Sequence, residues 1–446
     1  SKPLPIDEDV LDKLAQWNQD VIEGDLKSYS DYAFWRVNLL ANNLTNTRYF
    51  NYTLVNTLRP EMEEDRLLEQ QQKKSVEEIE VAQNLVNEAD FAGGVKESSE
   101  QDNQNAFRMQ QEEQKTEDER LKEEAKQSKI VPVIVTLNAD KLNSLETGIG
   151  YGTDTGVRMR NQYRRSIVNR RGHSFDTNLE LSQIRQSIDG RYMIPYNHPL
   201  NDYIGLVGGY EREERKDVFD NGAGLMVESA VFGADRVIKK SRGSWQHTFG
   251  LRYRLDRLTQ KGEVDYSDIP DNFLVPGADP EQQSLLFGYE ISKVSSDDRV
   301  NPKQGLKQSY KIEVGSDSLL SDVNLAILNA GWKGLYSLGE KDQHQLVGRA
   351  DLGYIFTENF DKVPYNLRYF AGGDQTLRGF DYKSLSPNVY DINIGGQGLA
   401  VGSLEYNYEF KSGWRAAVFS DFGNAYNEKF SNPIEYSAGV GIRWRA

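Results

Sequence analysis

The chain has 446 residues, no cysteine and a net charge of −15. Without thiols it has neither disulfides nor thiolate metal sites, and its acidic balance is no footprint for nucleic acid. Mean hydropathy is −0.67, and no apolar run approaches the roughly 20 residues of a membrane helix, which excludes a helical membrane protein but not a β-barrel, whose strands offer lipid only alternate residues.

Residues 1–60 read as a small α/β unit. The spacing of Val10, Leu11, Leu14 and Trp17 predicts an amphipathic helix over 7–19. Phe34, Val37, Leu40, Ala41 and Leu44 predict a second over 32–44. Residues 49–57 alternate like a strand, as do 131–137, VPVIVTL. A further strand ahead of Ser1 would complete the unit. Between the two strands lies a Glu/Gln/Lys-rich stretch, 61–130, with 20 acidic and 10 basic residues. It is too long for an ordinary connection, so it is expected to be disordered or loosely helical. A solvated insertion is the simpler reading, and a docking arm for a partner is the other. The unit is assigned to 1–140 and a second domain to 141–446.

From about Asn143 the pattern has a period of two. In 247–256 His247, Phe249, Leu251, Tyr253 and Leu255 share one face, with Arg252, Arg254 and Asp256 on the other. The same separation recurs in 284–292, 346–356, 404–410 and 436–444. A soluble sandwich also alternates, but these strands approach the roughly 9–11 residues that cross a bilayer, and their second face is densely charged. About fourteen strands are predicted, joined alternately by short turns and longer loops. The fold class is therefore mainly β, a transmembrane antiparallel β-barrel behind a small α/β domain.

The segment 360–397 is long for a barrel connection. Gly372, Gly373 and Gly379 permit sharp turns. Leu377, Arg378, Gly379 and Phe380 suggest a hairpin tip whose arginine meets an acid, although composition alone favours a solvent-exposed arginine. Parity supplies the acid: with Leu404, Tyr406 and Tyr408 toward lipid, Glu405 faces the lumen, and so do Phe419, Asp421 and Gly423 on the next strand. A guanidinium between two carboxylates makes several charge-assisted hydrogen bonds.

These residues resemble a family. Gly372-Gly373-Asp374 followed by Leu377-Arg378-Gly379-Phe380 is similar to the signature loop of the BamA/TamA superfamily of outer-membrane insertases and two-partner secretion transporters. Phe419-Ser420-Asp421-Phe422-Gly423 resembles its matching strand motif, and Glu405 fits the companion acid. Residues 297–305 (DDRVNPKQG) resemble a recurring turn of that family, and 42–50 (NNLTNTRYF) resemble part of a POTRA domain, its periplasmic module. The run 382–387 (YKSLSP) is most similar to the TamA branch.

The resemblance implies a barrel of about sixteen strands behind POTRA domains, with the loop folded into the lumen. It therefore predicts further N-terminal sequence and a closing C-terminal hairpin beyond Ala446. It also implies a Gram-negative outer-membrane location, unfolded outer-membrane clients, a lipid bilayer around the barrel, and a TamB-like inner-membrane-anchored partner at the POTRA domain. No signal peptide precedes Ser1, so the chain reads as a mature or trimmed product.

The first barrel strand is predicted over 146–154, with Gly148, Gly150 and Gly152 weakening its pairing. A weak pairing there makes a seam whose opened edge accepts a client strand. Glycines that merely relieve crowding are the competing explanation. The POTRA-like unit is read as a second edge for β-augmentation, or else as a passive pedestal.

No catalytic residue, cofactor or metal is assigned. His173, His198, His247 and His344 show no HExxH spacing and no GxSxG-like nucleophile lies nearby. A barrel lipase, a passive porin and a two-partner secretion transporter are the competing classes; the last shares the loop motif.

Overall fold

The computed structural model describes residues 4–19, 34–57, 120, 133–152, 155–216, 218–219, 222–240, 244–297, 302–339 and 342–444. Apart from Arg120, the acidic stretch 61–130 lies outside them, as do turn residues 298–301 and Asp154. Compact packing divides the chain into two units, Asn18–Asp140 and Ser1–Trp17 with Lys141–Ala446.

Helix α1, Glu8–Trp17, belongs to the larger unit. Glu8 and Asp9 in its first turn suit the positive end of the helix dipole. Lys13 pairs with Asp9 at 3.1 Å. The helix is fixed at both ends: the Asp7 amide donates to the Arg170 carbonyl at 2.8 Å, and the Trp17 ring lies 4.8 Å from the His198 ring.

The smaller unit holds α2, Phe34–Thr45, and an antiparallel pair, β1 (Tyr52–Thr57) and β2 (Val133–Asn138). β1 starts three residues later than its alternation predicts, because Asn46 and Thr47 form a turn that caps α2 and Arg48 takes a positive φ of 64°. The pairing Tyr52↔Asn138 through Thr57↔Val133 brings together the two strands that flank the acidic stretch.

The larger unit is a fourteen-stranded antiparallel sheet, the number the alternation predicts. Its strands are β3 (Asn143–Gly152), β4 (Gly156–Arg165), β5 (Ser174–Ser182), β6 (Arg185–His198), β7 (Asp202–Arg215), β8 (Gly224–Lys239) and β9 (Gln246–Lys261). They continue with β10 (Glu281–Ser296), β11 (Gln304–Gly315), β12 (Leu325–Leu338) and β13 (His344–Phe356). A two-residue pair, β14 (Asn388–Val389) with β15 (Ile392–Asn393), interrupts the loop before β16 (Gly398–Lys411), β17 (Trp414–Tyr426) and β18 (Glu435–Trp444). Each strand pairs with its sequence neighbour, β13 with β16. At one rim the connections have two to eight residues; at the other they reach 19 and 41.

The two faces differ chemically as alternation requires. Phe232, Phe249, Phe287, Leu352, Leu404 and Val440 project outward and are exposed. The other face carries ion pairs between and along strands. Asp235 takes Arg252 at 2.6 Å and Arg191 at 3.3 Å from other strands, and Lys311 meets Glu313 on the same strand at 2.8 Å. Buried carboxylates on a face that also holds guanidinium groups, opposite an apolar exposed face, match a sheet whose outside is solvated by hydrocarbon.

A sequence expectation changes at the start of β16. The strand begins at Gly398, six residues before Leu404; there the outward positions Gly398, Ala400 and Gly402 are small while Leu399 and Val401 face inward against the loop, which inverts the alternation. The outward face at Gly402 is instead covered by the Phe422 ring, 2.5 Å from where a Cβ would stand. The fourteen strands form an open series in this chain. β3 and β18 are the two ends of the hydrogen-bonded series, and no registered pair joins them among the described residues.

Candidate functional site

The connection of residues 357–397 folds against the inner face of the sheet. Its backbone is shaped by a hairpin in which the Gly373 amide donates to the Phe380 carbonyl at 2.9 Å and the Thr376 amide to the Gly373 carbonyl at 3.1 Å. Gly372 has φ +105°, and a Cβ there would stand 2.3 Å from the Asp381 carbonyl oxygen, so only glycine fits. Leu377 at the tip is fully buried beside Ala371 and Val401, with Phe380 packed against them. Burying such a leucine contributes about 1.5–3 kcal/mol and directs the neighbouring Arg378 to the wall.

Arg378 makes the hydrogen bonds that the parity argument predicts. Its Nη1 donates to Glu405 Oε2 at 2.7 Å; Nε and the backbone amide donate to Asp421 Oδ2 at 2.7 and 2.9 Å; Nη2 donates to Asp421 Oδ1 at 2.6 Å. The guanidinium carbon lies 3.5 Å from the centre of the Phe419 ring, which gives that aromatic a stacking role. Gly423 keeps the wall tight: its φ is +131° and a Cβ would stand 2.1 Å from the Ala400 carbonyl oxygen. Gly379, at φ +88°, turns the chain directly after the arginine and faces Ser437. Asp421's hydrogen bonds, first among the causes, push the arginine's proton affinity further up, so it stays charged.

The structure adds partners that sequence reasoning missed. Ser403 Oγ accepts from Arg378 Nη2 at 2.9 Å and donates to Asp421 Oδ1 at 2.6 Å. Arg443 on β18 donates to both oxygens of Glu405, at 2.7 and 2.6 Å. Arg349 on β13 donates to the Thr376 carbonyl at 2.6 Å, and Arg158 on β4 reaches Asp374 at 3.2 Å. Parity places Ser403 and Arg443 on the inner face, but contact with Glu405 or Asp421 follows only from the register.

The seam glycines lie elsewhere. Gly148, Gly150 and Gly152 share the inner face of edge strand β3, which starts at Asn143 rather than Glu146; the predicted end at Asp154 lies outside the described residues. Nothing lies within 4 Å of a Cβ at Gly148, and at Gly150 only the Arg158 side chain does, at 3.4 Å. Crowding therefore does not explain Gly148.

Comparisons with known proteins agree with this architecture. The model of the Omp85 superfamily domain matches residues 168–446. The outer membrane protein assembly factor BamA of Nitratidesulfovibrio vulgaris (strain Hildenborough) is 25% identical over 209 residues, 45% of this chain. The chain spans a quarter of that relative's length. The crystal structure of BamA from Haemophilus ducreyi lacking POTRA domains 1–3 superimposes with a TM-score of 0.60 at 16% identity, covering 97% of this chain and 76% of that one. CdiB from Acinetobacter baumannii aligns over 71% of this chain and 56% of its own, at 15% identity and a TM-score of 0.47. A superfamily model that spans the inner-wall acids, the arginine loop and twelve of the fourteen strands in full identifies what is shared: this chain belongs to the Omp85 superfamily.

Proposed function

We propose that this chain is the membrane part of an outer-membrane insertase that assembles β-barrel or autotransporter-type clients at the edge of its own sheet. The observation that carries this reading is the loop arginine fixed between Glu405 and Asp421 on the inner wall of the antiparallel sheet. An unpaired strand edge in hydrocarbon leaves amide and carbonyl groups without water, each at a cost of several kcal/mol. An incoming strand removes that cost by hydrogen bonding along the edge. The step needs no catalytic group, nucleotide, cofactor or metal.

The run Tyr382–Pro387 supports placement in the TamA branch, with unfolded outer-membrane proteins as clients and an inner-membrane-anchored TamB-like protein as partner. In this reading the unit Asn18–Asp140 is a periplasmic POTRA domain. The helix–strand arrangement of α2 and β1, paired with β2, supports that.

The test is client assembly in proteoliposomes. Arg378→Ala should leave the barrel inserted and abolish most assembly of a β-barrel client. Full assembly by the folded variant overturns the role given to Arg378. A client released across the membrane instead of embedded in it assigns the chain to two-partner secretion.

A further inference from the structure

The arginine loop is held at a second place that its signature does not contain. On β7, Glu213 and Arg215 point inward and are almost wholly buried. Glu213 Oε1 accepts from Arg215 Nε at 2.8 Å, and Lys383 Nζ of the loop donates to both Glu213 oxygens at 2.9 and 3.0 Å. Arg215 grips the loop in turn. Its guanidinium carbon lies 4.9 Å from the Tyr365 ring centre and 4.6 Å from that of Phe370, and its Nη2 donates to Asn366 Oδ1 at 2.6 Å. Asn366 then donates to Ser229 on β8 at 2.8 Å. Tyr365, Phe370 and Ile392 of the loop share one apolar cluster with Leu225, Val227 and Leu258 of the wall.

The two attachments are far apart in the sheet. β7 lies seven places from β16 and eight from β17 in the strand order. About half the circumference of a barrel of this size separates them. Yet Arg378 at one attachment and Lys383 at the other are five residues apart, which allows at most about 18 Å of chain. The sheet must therefore curl so that both walls lie within reach of one short segment.

We infer that Glu213 and Arg215 are positioning residues forming a second anchor, which with Arg378 makes the loop a strut across the lumen that keeps it shut to ions and chains. The inference rests on the reading of the sheet as a lipid-embedded barrel wall. With both anchors engaged, clients do not pass through the lumen, and assembly takes place at the sheet edge. Release of the β7 anchor leaves the loop tethered at Arg378 only and opens the passage.

Burial pushes the Lys383 ammonium down to about 8, with Arg215 acting in the same direction. A neutral side chain of similar length is therefore tolerated there, whereas a second carboxylate beside Glu213 is not. The whole chain is reconstituted in planar lipid bilayers and its ion conductance recorded. Lys383→Glu should raise conductance several-fold, Lys383→Met should leave it low, and the exchange Glu213→Lys with Lys383→Glu should restore the low value. Asn366→Leu, which removes the amide between Arg215 and Ser229 without changing charge, is a second opener should Lys383→Glu not fold. Wild-type conductance in the folded openers, or an exchange variant as leaky as Lys383→Glu, overturns the strut. Client assembly measured on the same preparations separates the two readings. Unchanged low conductance in the folded openers with intact assembly sinks only the strut, and absence of assembly by wild-type protein sinks only the proposed function.

Discussion

Asp421 is where the polar contacts of the loop converge. It is fully buried and accepts from the backbone amide, Nε and Nη2 of Arg378 and from Ser403. Glu405 accepts from Arg443 on both oxygens and shares Oε2 with Arg378, and Arg443 is 55% exposed. The two acids should therefore differ in how much their partners matter. Asp421→Asn removes one side of a buried charged set, for which about 3–5 kcal/mol is typical. Arg443→Ala removes an exposed partner and should cost no more than about 1 kcal/mol. Thermal unfolding of the reconstituted protein checks the order, and an Arg443→Ala loss as large as that of Asp421→Asn contradicts it. The triad itself was legible beforehand, because a strand's inner face is fixed by parity once its apolar face is known. Arg443 was not, since reaching Glu405 from β18 depends on the register across β17, which the sequence does not state.

At the scale of elements, the strands are set by which side each residue meets. Leu352 of β13 projects outward and is 47% exposed, while Asp351 beside it faces inward and pairs with Arg349 at 3.3 Å. Leu352→Arg should destabilise the protein in bilayers by about 2–4 kcal/mol if that position lies near mid-membrane. Asp351→Asn should change much less. Equal effects of the two substitutions, read from denaturant titrations in lipid vesicles, would contradict the assignment of faces. Strand identity and facing were readable wherever large apolar residues alternate, as in β9, β13 and β17. They were not readable at the start of β16, where Leu399 and Val401 turn inward to the loop, the outward positions are small, and the Phe422 ring on the adjacent strand covers the outer surface at Gly402. The helix α1 was readable from its spacing, but its packing with the sheet through Asp7, Arg170, Trp17 and His198 was not.

Over the whole larger unit, stability should fall from the middle of the sheet toward its ends. β8 is paired along its length on both sides, whereas β3 is paired on one side only and Ile149 on it is 80% exposed. Backbone amides of β3 should exchange with deuterium far faster than those of β8, because edge pairing opens locally without disturbing the rest. Equal protection in lipid would mean that β3 has a partner strand along its free edge. The sequence by itself determined the class of sheet, its strand number, the side each strand turns to lipid and the arginine-loop motif. These depend on local alternation and on a short run of glycines around one arginine. Only the tertiary structure decided that Arg443 joins Glu405 and that Glu213 and Arg215 hold the far end of the loop. Those contacts join residues up to 170 positions apart, and their distances follow from register and curvature rather than from any local pattern.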